Sequence, residues 1–340
     1  MKRSFIILSI AALALSSCYK AETVISVQPQ EIGFKAISSN ATKADAQLEG
    51  TLLTKDYSIY AAATHKSTSG AIETPVFFKD QQFQTEDATV SATSQYRAWN
   101  GTEAAPIYWP VGGGIVDFLA YAMPTTSHGT PAATYANEAT DVASEISFAE
   151  WNTYDNQVDL LYAVNNGTTY AANGAAADFV KLSFNHAQAL LVFQAKANME
   201  NMITINSITI GGLKVKGTFT VDNSRNALAA SWSDLEAVDT KNQITEDADR
   251  TTDYIGEPLG KTDFGQVGSS LLIPEQPRLN FTVNYTVGSK TMNYTYNEAR
   301  GTWEMGKKYI YKIDMNLNEI ILTEEVSDFE DANVPEVPIN

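Results

Sequence analysis

The sequence predicts an all-β protein made of two β-sandwiches in series, and three observations carry that expectation. Apolar residues recur at every second position over short runs, most clearly Leu279, Phe281, Val283, Tyr285 and Val287, which is the period of a strand with one buried face. No ten-residue stretch beyond the leader shows a convincing helical period, with only a hint of one near Leu235. Aromatic residues make up 10% of the chain and charged ones 19%, a balance that, with abundant threonine and serine, suits pleated, half-buried surfaces.

The chain opens with Lys2 and Arg3, runs apolar from Phe5 to Leu15 with Ser9 as the interruption, and then reads Leu15-Ser16-Ser17-Cys18. A short basic region, a short hydrophobic core and small residues form the layout of a bacterial signal peptide, here residues 1–17. The run falls short of the roughly 20 apolar residues that a membrane-spanning helix needs. The last four residues resemble the lipobox of bacterial lipoproteins, which implies cleavage before Cys18 and acylation of its thiol. Several acyl chains on one amino terminus anchor stably, because each buried methylene contributes about 0.8 kcal/mol. Cys18 is the sole cysteine, so once acylated it leaves no thiol for a bridge, a metal cluster or a nucleophile. Residues 18–31 are mostly polar and read as a lipidated tether.

Ile32 and Phe34 alternate and open a first strand candidate, followed by a Ser, Thr, Asn and Ala stretch to Gly50. Tyr57, Ile59 and alanines 61–63 form the next, then Val76-Phe77-Phe78, Ile107-Tyr108-Trp109 before Pro110, and Val116 to Tyr121 before Pro124. Gly112-Gly113-Gly114 lacks the Gly-Lys-Ser/Thr ending of a phosphate loop and reads as a turn. Residues 125–144 are expected to be a surface loop with at most a short helix. Val158 to Val164 regains strand character, and Asn165-Asn166-Gly167 reads as a turn that ends it. These elements make a first sandwich over residues 32–175.

The second sandwich, expected over residues 176–323, begins with alternating Val180, Leu182 and Phe184 and the buried-type run Ala189 to Ala195. Ile203, Ile205, Ile208, Ile210, Val215, Phe219 and Val221 continue as a meander. Asp234 to Gly265 is polar and acidic and reads as a long loop. Leu279 to Val287, a turn at Gly288-Ser289-Lys290, and Met292, Tyr294 and Tyr296 make a hairpin. A last strand pair carries Tyr309, Tyr311, Ile313, Met315, Leu317, Ile320 and Leu322. Residues 324–340, acidic and with two prolines, read as a loose tail.

A formal net charge of -17 argues against nucleic acid or an anionic membrane face as partner, since both recruit lysine and arginine clusters. No cofactor motif is present. His65, His128 and His186 are the three histidines, and no His-Glu-x-x-His helix exists to hold zinc. His186 is expected to serve packing or a hydrogen bond. Asp234 with Glu236, and Glu246 with Asp247 and Asp249, could bind calcium, although acidic loops on an acidic surface protein are usually only solvated; as glycosidase carboxylates they would need to face each other across a cleft. The chain is therefore expected not to be an enzyme. Of the tryptophans, Trp109 and Trp303 sit beside strand runs and suit a core, whereas Trp99, before Asn100-Gly101, is the candidate platform for a glycan or host ligand.

Several segments, in order, carry a more specific resemblance: Ile32-Gly33-Phe34 followed by Thr42-Lys43-Ala44, Val116 to Tyr121, Asp159 to Ala163, Leu182 to Ala189, and Thr302 to Tyr309. Together they resemble the fimbrillin-like lipoproteins of Bacteroidetes, the minor-fimbrium and type V pilus group. The resemblance implies two transthyretin-like β-sandwich domains and a precursor that reaches the outer membrane by its lipid. It further implies that a protease removes an amino-terminal segment with the first strand, here Ile32 and Phe34, opening a groove for another subunit's strand. The donor candidate here is Ile313, Met315, Leu317, Ile320 and Leu322. The best studied members are cut after arginine, yet no arginine lies between Cys18 and Arg97, so Lys35 or Lys43 would serve, or a retained lipid would suit a basal anchor. The function implied is a structural subunit or anchor of a cell-surface fimbria, with other fimbrial subunits and the outer membrane as partners; the alternative, resting on Trp99, is a non-enzymatic surface lipoprotein that binds a host glycan or protein.

Overall fold

The structure is a computed structural model that describes residues 30–38, 57–87, 90, 94–170, 179–198, 203–224, 229–237, 243–244, 259–260, 263–297, 300–316 and 319–329. The chain is all-β, and among the described residues the sole helical element is a single 3-10 turn, Thr125–Ser127. The first part supplies β1 (Gly33–Ser38), β2 (Tyr57–Lys66), β3 (Ile72–Gln84), β4 (Tyr96–Ala98), β5 (Gly114–Pro124), β6 (Ala133–Tyr135), β7 (Glu145–Asn152), β8 (Leu161–Tyr170) and β9 (Val180–His186). The remainder supplies β10 (Ala189–Ala197), β11 (Ile203–Ile210), β12 (Lys214–Asp222), β13 (Ala229–Ala237), β14 (Gln243–Ile244), β15 (Gly265–Gln266), β16 (Leu271–Ile273) and β17 (Gln276–Pro277). It ends with β18 (Phe281–Val287), β19 (Lys290–Tyr296), β20 (Thr302–Trp303), β21 (Lys307–Met315) and β22 (Ile320–Asp328).

Seven strands close on themselves in the order β1-β4-β3-β2-β5-β8-β9. Burial explains why β2 and β5 read as continuous apolar runs. Ile59, Ala61 and Ala63 of β2 and Val116, Phe118 and Ala120 of β5 point inward, while Tyr60, Ala62, Leu119, Tyr121 and Met123 point outward beneath a second sheet. That covering sheet has the order β13-β12-β7-β6 and lays Phe148, Trp151 and Phe219 on the outer face. A strand buried on both faces loses the simple alternation of one that faces water.

The second core lies between two sheets, β15-β10-β21-β22 with β16 beside β10, and β14-β11-β18-β19. Phe193 of β10 meets Phe281 of β18 edge-on at 5.1 Å, and Phe281 meets Tyr311 of β21 at 5.2 Å, so facing sheets interdigitate as in a sandwich. The isoleucines of β11 are spaced two, three and two residues apart. A register shift between Ile205 and Ser207 absorbs the extra residue as a bulge, and Ile203, Ile205, Ile208 and Ile210 all reach this core.

Several local expectations differ from what the fold adopts. Ile107 to Trp109 is not a strand; Tyr108 makes an isolated bridge with Glu31, and the segment lies along residues 30–32. Asn165-Asn166-Gly167 does not end β8. The strand runs on to Tyr170 through a shift in its pairing with β5, because Gly167 takes a φ of +76° and its amide donates to the Asp117 carboxylate at 2.7 Å. The helical hint near Leu235 lies in β13. Glu324 to Asp328, expected in a loose tail, pair with β21. The triple glycine is a turn, with Gly112 and Gly113 at φ +107° and +80°, a conformation that glycine adopts at little cost. Residue 175, the expected boundary, lies outside the described residues, and β9 just beyond it closes the first barrel with Val180, Leu182 and Phe184 in its core.

Candidate functional site: the first strand and its socket

β1 occupies a seam. It pairs in parallel with β9 over five positions, Phe34 opposite Val180 to Ser38 opposite Phe184, and antiparallel with β4 over two, Gly33 opposite Arg97 and Phe34 opposite Tyr96. Every other pairing in the barrel is antiparallel, and parallel ladders are slightly weaker per residue. Just before it, the Ile32 amide donates to the Ile107 carbonyl at 2.7 Å and the Trp109 amide to the Gln30 carbonyl at 3.0 Å.

Side chains, as well as its ladders, seat the strand. Ile32, Phe34 and Ala36 are buried in the barrel. Phe34 meets Phe83 at 4.6 Å and Phe118 at 5.3 Å, both edge-on. Burying such a side chain contributes about 1.5–3 kcal/mol. Gly33 lets the backbone come close, since a Cβ there would stand 2.0 Å from the Phe179 ring and 3.0 Å from the Tyr96 carbonyl oxygen. Arg97 lies across the Phe179 ring at 5.5 Å and forms an ion pair with Glu31 at 2.7 Å. A chain lacking β1 would therefore present a slot bounded by the free edges of β4 and β9 and floored by Phe83 and Phe118.

The other residues singled out in the sequence are dispersed. Lys35 is half-buried within β1, opposite Lys181. Cys18, Lys43 and Leu317 lie outside the described residues. Ile313 and Met315 are buried in β21, a central strand between β10 and β22, whereas Ile320 and Leu322 belong to the edge strand β22 and pack partly against the second core. Trp99 is half-buried, bridged to Ala104, and its carbonyl accepts from Gln81 at 2.8 Å. Trp109 and Trp303 are core residues.

The histidines pack rather than converge. His65 shares a 3.0 Å hydrogen bond with the Tyr170 hydroxyl, and His128 stacks on Tyr60 at 3.8 Å. His186 Nδ1 and the Asp159 carboxyl share a hydrogen bond at 2.9 Å with both side chains buried. Burial pushes the Asp159 carboxyl above its usual range, against the pull of His186. Among the described residues no group of three His, Cys, Asp or Glu side chains is placed to hold a metal, and no helix is long and apolar enough to cross a membrane.

Comparison with known proteins places the fold. Among solved structures, a fimbrial protein from Bacteroides vulgatus is similar with a TM-score of 0.54 at 13% identity, covering 88% of this chain and 99% of that one. A candidate cell adhesion protein from Bacteroides uniformis is similar with a TM-score of 0.53 at 17% identity, covering 89% and 100%. One from Bacteroides ovatus reaches 0.50 at 16% identity, covering 89% and 98%. No curated protein matches the sequence. The family model described as Fimbrillin-like matches residues 40–328, and the chain belongs to the fimbrillin-like family.

Proposed function

We propose that this chain is a subunit or anchor of a cell-surface fimbria, delivered to the outer membrane as a lipoprotein acylated at Cys18 and joined to its neighbours by strand exchange. The observation that carries the reading is the seat of β1: a short amino-terminal strand, paired in parallel on one side and over two residues on the other, that fills a socket floored by Phe83 and Phe118. Family membership and the printed description of the Bacteroides vulgatus relative as a fimbrial protein support it.

Removing β1 leaves main-chain donors and acceptors on β4 and β9 without partners, and an incoming strand would restore both ladders while its alternate side chains refill the socket. Lys43 is the better of the two processing positions. A cut there releases all of β1, whereas a cut after Lys35 falls inside the paired strand and strands Ala36 to Ser38 on β9. β22 is the better part of the donor candidate, since it leaves only β21 behind, while moving β21 would empty Ile313 and Met315 from the core. None of the five tryptophans is fully exposed, which weighs against a stacked glycan platform at Trp99 as the main role.

The test is intact mass and amino-terminal sequencing of protein recovered from the native cell surface, separated into monomer and detergent-resistant polymer. Polymer whose subunits begin after Lys43 or Lys35 is the expected result for a shaft or tip subunit. Monomer alone, beginning at acylated Cys18, sinks the processed-subunit reading and leaves the anchor or a ligand-binding lipoprotein.

A further inference from the structure

β22 is a nine-residue edge strand, yet not one of its side chains is fully buried. Ile320 and Leu322 are half-buried, and Ile321 and Val326 are exposed. Glu324, Glu325 and Asp328 form ion pairs with Arg278, Lys312 and Lys307. The first fully buried residue is the one after the strand, Phe329, at 1% exposure. It packs with Leu190, Val192 and Leu272 and stacks on the His186 ring at 3.9 Å.

His186 is held for this contact. Its Nδ1 is fixed by Asp159, at 2.9 and 3.1 Å from the two carboxylate oxygens, and its buried Nε2 has no hydrogen-bond partner among the described residues, so the ring offers its face to Phe329. A chain of hydrogen bonds carries the seat into the barrel. The Phe329 amide donates to the Gly306 carbonyl at 2.8 Å, and the Gly306 amide to the Gln188 carbonyl at 2.9 Å. The Gln188 side chain then binds the Val158 carbonyl at 2.8 Å and the Leu160 amide at 3.2 Å.

We propose that Phe329, stacked on the Asp159-oriented His186, is a latch that holds the carboxy-terminal edge strand β22 in its own sheet, so that undocking this one ring frees the strand while both main cores stay intact. The physical basis is the contrast between a strand whose own side chains are at most half-buried, with the Lys312–Glu325 and Lys307–Asp328 pairs reaching solvent, where such pairs are worth little, and only the Arg278–Glu324 pair mostly buried, and one terminal aromatic ring buried at the meeting point of the two halves. The inference goes beyond the strand-exchange reading and does not depend on it, because it concerns β22 within a single copy of the chain.

Hydrogen exchange by mass spectrometry on the soluble full-length chain with Cys18→Ser tests it. Phe329→Ala should raise exchange of the β22 amides tenfold or more while the β2 and β5 amides stay within twofold of the parent, and Val326→Ser, which alters an exposed side chain of the same strand, should change neither. Phe329→Leu keeps an apolar group but loses the ring stack; it should fall between, and it supplies the reading if the alanine variant fails to fold. Unchanged β22 exchange in the folded Phe329 variants overturns the latch. Equal acceleration of the barrel overturns it too, because Phe329 would then be an ordinary part of a single cooperative core.

Discussion

Phe34 and Phe83 meet edge-on, ring centres 4.6 Å apart, and with the Phe34–Phe118 contact this keys β1, which pairs with β4 over only two residues, into its barrel. Phe34→Ala would leave a cavity against Phe83 and Phe118. A buried Phe→Ala change typically costs about 3–5 kcal/mol, and urea denaturation of the soluble chain should show a loss of that size. Loss under about 1 kcal/mol would mean that the socket collapses around the missing ring, and that it has no fixed shape for an incoming strand to fit.

Processing should depend on which lysine the chain can present. Lys35 is paired with Lys181 inside the ladder, and a protease needs an extended segment freed from its neighbours. Lys43→Gln is expected to abolish the shortened polymeric form on the native surface, and Lys35→Gln to leave it in place. Mass spectrometry of the surface fraction checks this, and loss of processing in Lys35→Gln alone would reverse the assignment.

Arg278 joins three elements at one point. Its Nη1 lies 2.5 Å from Glu324, its Nε donates to the Thr302 carbonyl at 3.2 Å, and its guanidinium lies over Tyr309 at 4.6 Å. Arg278→Ala should destabilise the chain by about 1–3 kcal/mol, because it leaves the mostly buried Glu324 carboxylate without its charged donor. The double variant with Glu324→Gln should recover part of that loss, and additive losses in a double-mutant cycle would show that the two side chains act independently.

Buried phenols set the alkaline limit of the fold. Burial raises the Tyr162 hydroxyl to about 12, with Glu275 adding to it, and burial also raises Tyr57 and Tyr121, with Asp159 and Asp80 respectively pushing the same way. The folded values lie above the unfolded one, so the folded state holds its protons longer than the unfolded chain does. The associated stability is fully present below about pH 10 and is lost as pH rises toward 12 and beyond. Absorbance near 295 nm should show exposed tyrosines ionising around pH 10 and the buried set ionising with unfolding. Smooth titration of every tyrosine near pH 10 in a chain that is still folded would contradict that burial.

What the sequence alone determined is local. Where apolar residues alternate in one phase, as in Leu279 to Val287 and Tyr309 to Met315, strands and their hairpin partners were legible, because a strand with one buried face writes its period directly into the chain. The opening pattern through Cys18 and the ordered motifs behind it were enough to point to the family. The tertiary structure decided what depends on partners distant in the chain. β9 closes the barrel of the preceding half, and β12 and β13 cover it beside β7; the apolar pattern of those strands states that a face is buried, but not against which sheet. Glu324 to Phe329 read as tail because their composition is acidic, yet five cross-strand pairs to β21, three ion pairs and the Phe329 stack on His186 draw them into the fold. Pairing and stacking energies of that kind belong to two segments at once, which is why neither segment's own sequence displays them.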